Sequence, residues 1–186
     1  LSLVDAIKFS GSSVVGDTIN IEDCRADFDL TNAAGSCHLA LLPSINVRRT
    51  RISRSVIKST GSTRTGYFMQ VYSPASGNRF EIVDSEIQGN CQMVELSTIT
   101  NIPQLYFRGI VYDGSSNYFL SGSNSFSLIA SDIDIIACVD IFILAGTSKT
   151  YTFNLSNFKI NGKNFCTNYG TTNTITYSLT NNAGGR

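Results

Sequence analysis

The sequence predicts an all-β chain wound as a right-handed parallel β-helix, a solenoid of about six to seven coils. Three observations carry that expectation. A short rung motif recurs along the chain, a third apolar stretch follows most copies, and no window keeps the 3.6-residue period of a helix. The motif is plainest in Phe80-Glu-Ile82-Val-Asp-Ser85-Glu-Ile87. An apolar residue is followed by another two positions on, a small residue three after that, and an apolar residue two later. Alternation at period two describes a strand with one face inward. The single step of three breaks the alternation, and a strand can do that only by bending. Each copy therefore reads as two short strands joined at a corner.

The copies follow in order. The first is Ile19, Ile21, Cys24, Ala26, and the second is Thr50, Ile52, Ser55, Ile57. The third starts at Phe80, and the fourth is Leu105, Phe107, Ile110, Tyr112. Then come Phe126, Leu128, Ser131, Ile133 and Tyr151, Phe153, Ser156, Phe158, with a weak last copy at Ile175, Tyr177, Thr180, Asn182. The anchors are spaced by 31, 30, 25, 21 and 25 residues. Third-strand candidates are 38–42, 67–72, 92–96, 117–120 and 139–144. Gly61, Gly89, Gly114 and Gly162 fall at one phase of the repeat and suit turns that need positive φ. A coil cannot bury its inner face alone, so coils stack about 4.8 Å apart. The expected inner column is Ile21, Ile52, Ile82, Phe107, Leu128 and Phe153. The alternative is a β-sandwich, which calls for hairpin turns. Asp113-Gly114 and Asn161-Gly162 recur at the same phase of the repeat, which favours coil corners.

Composition narrows the function classes. The chain has 186 residues, with 14 Lys and Arg against 14 Asp and Glu, so its net charge is zero. A nucleic-acid partner, which would call for a basic excess, is not expected. Charged residues are only 15%, while Ser, Thr and Asn number 57. The longest apolar run, Ile135 to Gly146, is interrupted by Asp140 and is too short to span a bilayer, so membrane insertion is not expected either. Residues 1–186 read as one β-helix domain, a processed part or fragment of a longer chain, since Leu1 opens it without Met. Of the five cysteines, most read as buried structural thiols. With His38 the only histidine and no CxxC, neither a zinc site nor any other cofactor is expected.

The rungs at 80–89 and 126–135 resemble those of pectate-lyase-like β-helix proteins, bacteriophage tail spikes in particular. The resemblance covers about residues 15 to 165 and rests on the rung pattern and on the Ser/Thr/Asn/Gly-rich, low-charge composition. It implies a homotrimer on a virion tail, or otherwise extracellular, that binds or cuts a bacterial surface polysaccharide; the alternatives are a purely structural stalk or adhesin segment with no active site, and a free-standing polysaccharide lyase. The residue before the small corner residue reads Asp23, Arg54, Asp84, Gly109, Ala130 and Leu155, in place of the asparagine ladder common in those proteins.

Stacking turns sequence into outward columns. Eight positions after each anchor stand Asp27, Lys58, Gln88, Asp113, Asp134 and Lys159. Six positions after stand Arg25, Val56, Glu86, Val111, Asp132 and Asn157. That register makes Asp113 and Asp134 vertical neighbours, roughly 5 Å apart, with Glu86 and Asp132 on the same face. Carboxylates about 5 to 5.5 Å apart suit a retaining glycosidase, and about 6.5 to 9.5 Å an inverting one. Glu86, Asp113, Asp132 and Asp134 are therefore the candidate catalytic residues. The competing reading is a solvated face neutralised by Lys58 and Lys159. A second candidate is the run Arg48, Arg49, Arg51, Arg54, Lys58 and Arg64, six of the 14 positive charges within 17 residues. Arginine forks match carboxylates and phosphates, so Arg48, Arg49, Arg51 and Arg54 are the expected ligand-binding residues.

Overall fold

The computed structural model describes residues 5–8, 15–31, 37–43, 46–61, 66–72, 78–97, 103–114, 118–160 and 164–180. Arg64, Asn161, Gly162 and Asn182, singled out above, lie outside the described residues, as does the side chain of His38. The strands follow in chain order. They begin with β1 (Asp5–Lys8), β2 (Val15–Glu22), β3 (Arg25–Asp29), β4 (Cys37–Pro43), β5 (Asn46–Ser53), β6 (Val56–Thr60) and β7 (Gly66–Tyr72). They continue with β8 (Arg79–Gly89), β9 (Cys91–Ser97), β10 (Gln104–Asp113), β11 (Leu120–Gly122) and β12 (Phe126–Ala137). The last are β13 (Asp140–Leu144), β14 (Thr150–Ile160), β15 (Asn164–Asn168) and β16 (Thr174–Thr180).

Every ladder among the described strands is parallel. Hairpins, and with them the β-sandwich, are excluded there. One sheet runs β1-β4-β7-β9-β11-β13-β15, built from the third strands. The other runs β2-β5-β8-β10-β12-β14-β16, flanked by β3 and β6. The result is a parallel β-solenoid, as the repeat predicts. Its most regular part is about four turns, those in which β8, β10, β12 and β14 pass unbroken through their bend. That is fewer than six to seven coils, because the outer rungs extend the sheets without the same long strand.

The bend has a defined chemistry. Asp23, Arg54, Asp84, Gly109, Asp132 and Asn157 all have φ between 48° and 63°. That left-handed conformation is tolerated best by Gly, Asn and Asp, so five of these six corner residues are of the favoured types. One left-handed residue rotates the strand and produces the step of three. Inside the corner, Ser55 and Ser85 form a short hydroxyl ladder. The backbone N–H of Cys24 donates to Ser55 Oγ and that of Ser55 to Ser85 Oγ, each at 3.2 Å. The serine hydroxyls in turn donate to the carbonyls of Ser53 and Val83. Serine here satisfies backbone donors at the bend.

The register departs from expectation at one interface. Ile21, Ile52, Ile82 and Phe107 lie in line. Phe107 then pairs with Ala130, and Ala130 with Leu155, whereas Leu128 and Phe153 continue the Phe80–Leu105 column. The corner residues of the fifth and sixth copies are consequently Asp132 and Asn157, not Ala130 and Leu155. A slip of two residues preserves the alternation before the bend, where Leu128 and Ala130 are both buried, so hydrophobic alternation carries no signal against it, although it moves Ser131 from the inner corner to the outward row. Corner chemistry does carry one: Ala and Leu are poor left-handed residues, and Asp and Asn are good ones.

The core is aromatic toward the later coils. Phe142 is fully buried, with ring centroids of Phe153 at 4.6 Å, Phe165 at 5.2 Å, Phe119 at 6.1 Å and Phe158 at 6.2 Å. Tyr112 is buried and donates its hydroxyl to the carbonyls of Cys91 and Tyr118. Burial pushes that phenol well above its ordinary value. Cys91 and Cys138 are buried, while Cys24 and Cys166 are half-buried.

Candidate functional site

Outward rows on the arm before the bend build one concavity. One row is Thr18, Arg49, Arg79, Gln104 and Ser127. The next is Asn20, Arg51, Glu81, Tyr106 and Ile129, and the third includes Val83, Arg108 and Ser131. Members of these rows on β5, β8, β10 and β12 line an open groove of about 350 Å³. Four guanidinium groups, Arg49, Arg51, Arg79 and Arg108, face one carboxylate, Glu81.

Arg49 and Arg79 are direct partners on adjacent strands, a like-charge pairing that is unfavourable by itself. Glu81 makes it tolerable. Its side chain is only 6% exposed, and Arg49 Nη2 donates to its Oε2 at 2.5 Å. Arg79 Nε lies 2.5 Å from Oε1 as an ion pair, not aligned for a hydrogen bond. Burial alone would push the Glu81 carboxyl up, but the Arg49 hydrogen bond and the charges of Arg79 and Arg49 outweigh it, so the carboxyl sits below its usual value. The Arg79 guanidinium also stacks on Tyr106, 3.6 Å from the ring centroid. Ile129, 41% exposed, supplies an apolar flank.

The four expected ligand-binding arginines separate. Arg49 and Arg51 line the groove. Arg48 pairs with Asp17 at 2.8 Å on the exposed surface. Arg54 occupies a left-handed corner, where its Nε and Nη2 donate to both oxygens of Asp23 at 2.7 and 2.8 Å and Nη2 also reaches Glu22 at 3.0 Å. These contacts lower the Asp23 carboxyl and raise Arg54. Arg79 and Arg108 were not among the expected residues. They stand at the outward offsets one before and three after the anchors, a set of columns equally open to the same arithmetic.

The acidic candidates are redistributed by the corrected register. Asp134 pairs with Val111 and Lys159, and Asp113 pairs with Gln88 and Ala137. The expected Asp113–Asp134 stacking is therefore absent. Asp132 sits at the corner, where Asn157 Nδ2 donates to its Oδ1 at 2.7 Å. Glu86 accepts from Gln88 Nε2. Glu86, Val111 and Asp134 share one outward row, which puts Glu86 two strand spacings from Asp134, roughly 9.6 Å by backbone. Among the described residues no group of three His, Cys, Asp or Glu could hold a metal ion. No helix among them is long and apolar enough to cross a membrane.

No family model, curated protein or solved structure matches the chain.

Proposed function

We propose that this chain is a tail-spike-type segment that binds a bacterial surface polysaccharide in the groove formed by Arg49, Arg51, Arg79, Tyr106 and Arg108. The observation that carries the reading is a groove crossing four consecutive strands of one rigid face. A repeating ligand can lie across repeating rungs, with Tyr106 and Ile129 offering apolar surface to a sugar ring and the arginines offering donors. A rigid scaffold also limits the ordering cost of binding. In this reading the protein acts on a virion tail or outside the cell, as a homotrimer.

A second reading adds hydrolysis. Glu86 and Asp134 lie on one row, close to the separation that inverting glycosidases use, with Val111 between them. One experiment addresses both readings. The protein is incubated with a panel of bacterial capsules and O-antigens, scored for binding and for new reducing ends. Binding that Tyr106→Ala weakens, with no new reducing ends, supports the binding segment alone. Cleavage that disappears in Glu86→Gln and in Asp134→Asn supports the hydrolase. Absence of binding across the panel would sink both.

A further inference from the structure

We propose that the groove is an oxyanion subsite, so that the ligand presents a carboxylate, sulfate or phosphate group to Arg51 and Arg108, held beside Arg49 and Arg79. This rests on the binding function proposed above and specifies its chemistry. Around the groove, four guanidinium groups meet a single carboxylate, in a chain whose net charge is zero. Among the described residues Glu81 forms ion pairs only with Arg49 and Arg79. Among the described residues, Arg51 and Arg108 line the same groove without an ion pair.

The donors are also incompletely used. The Nε atoms of Arg49 and Arg51 are buried without a hydrogen-bond acceptor among the described residues, whereas Arg79 Nε lies against Glu81 Oε1. A buried donor left unmade costs more than a satisfied one contributes, so an incoming acceptor gains what the empty groove lacks. An oxyanion with two or three oxygens can accept from several guanidinium forks at once, and charge-assisted bonds of that kind are the strong ones. An uncharged sugar hydroxyl can satisfy one donor but neutralises none of the excess charge.

The geometry is preorganised. Glu81 fixes Arg49 and Arg79 from beneath, and the Tyr106 ring supports Arg79. Arg79 and Glu81 are thus positioning residues, while Arg51 and Arg108 are the free contacts. Arg51 is two residues from Arg49 on β5, and Arg108 is on β10, across β8 from it. The free charges therefore flank the groove rather than share one strand, as clasping a single group requires.

The test titrates the intact chain by calorimetry with four probes: inorganic phosphate, a sulfated oligosaccharide, a glucuronate oligomer and an uncharged glucan oligomer. Phosphate and the acidic oligosaccharides should bind, and the uncharged oligomer should bind at least tenfold more weakly. Arg51→Gln and Arg108→Gln should each weaken anion binding about tenfold, the loss of one charge-assisted contact, with melting temperatures within a degree or two of the parent. Anion affinity should also fall as salt rises. Equal affinity for charged and uncharged oligomers overturns the oxyanion assignment and leaves the polysaccharide reading standing. Phosphate binding that the two variants weaken, with no saccharide bound, does the reverse. Variants that bind phosphate like the parent, or a parent that binds none of the four probes, overturn the assignment.

Discussion

The β10–β12 register can be tested directly by cross-linking. Tyr106 faces Ile129, whereas the spacing of the rung anchors alone puts Tyr106 beside Ser127. Directly paired residues on neighbouring strands have Cα atoms roughly 4.8 Å apart, inside the range a disulfide accepts. A displacement of two residues adds about 6.6 Å along the strand, so the Tyr106–Ser127 separation is about 8 Å, beyond the reach of a disulfide. Tyr106→Cys with Ile129→Cys should therefore oxidise readily, and Tyr106→Cys with Ser127→Cys should not. The chain already carries five cysteines, so the link is identified by peptide mapping with mass spectrometry rather than by thiol counting. The bond closes a loop of 23 residues, worth about 3 kcal/mol from the restricted unfolded chain. Loss of the Arg79–Tyr106 stack takes back about 0.5–1 kcal/mol. The net of about 2 kcal/mol should raise Tm by about 4–8 °C. Efficient linkage of the Ser127 pair, with none of the Ile129 pair, would refute the register and with it the redistribution of the acidic residues.

Four further outcomes are expected. Phe142→Ala removes a fully buried ring packed among four others and should cost about 3–5 kcal/mol in denaturant unfolding; a loss under about 1 kcal/mol would contradict its placement. Gly89→Ala forces a Cβ to within 2.1 Å of the Ser59 carbonyl oxygen at φ +82° and should destabilise by more than about 1 kcal/mol; a neutral variant would mean that the corner is wrongly built. Because the Glu81 carboxyl is held below its usual value, its contribution is present above the ordinary glutamate range and is lost as pH falls through the lowered value. The melting-temperature gap between parent and Glu81→Gln should accordingly shrink as pH is lowered from 7 toward 3, and a constant gap would argue against the ion pairs. Light scattering at micromolar concentration should give a trimeric mass, and a value near that of the 20.2 kDa chain would reject the homotrimer.

Much of the solenoid was legible because its signal is local and repeated. Ile82, Phe107 and Ile133 declare an inward face by alternation, and the step of three marks a bend in each copy. The register between β10 and β12 was not legible from alternation, since Leu128 and Ala130 point the same way and either satisfies a hydrophobic column. What decides between them is the left-handed corner, where Asp132 and Asn157 fit and Ala130 and Leu155 do not. The groove was half legible. Arg49 and Arg51 lie in a visible basic run, but Arg79 and Arg108 are isolated in sequence and join them only through the stacking of β5, β8 and β10. Glu81 likewise gives no hint in the sequence that it is buried beneath two arginines.

That assembly has an energetic consequence. Arg49 and Arg79 are paired across adjacent strands, and unit charges about 5 Å apart repel by about 1 kcal/mol in water and about 3 kcal/mol near a protein surface. Glu81 offsets this pair, but its single charge does not neutralise Arg51 and Arg108 as well. Collecting like charge in one groove opposes folding, and nothing in the core requires it, because Thr50, Ile52, Phe80 and Ile82 fill the inner face of the same strands whatever stands outside. A surface serving only as a stalk has no need of Arg51 or Arg108 in place of the Ser, Thr or Asn that make up nearly a third of the chain. Repulsion concentrated on one face of a solenoid whose net charge is zero is the arrangement expected of a site whose missing stabilisation arrives with an anionic ligand.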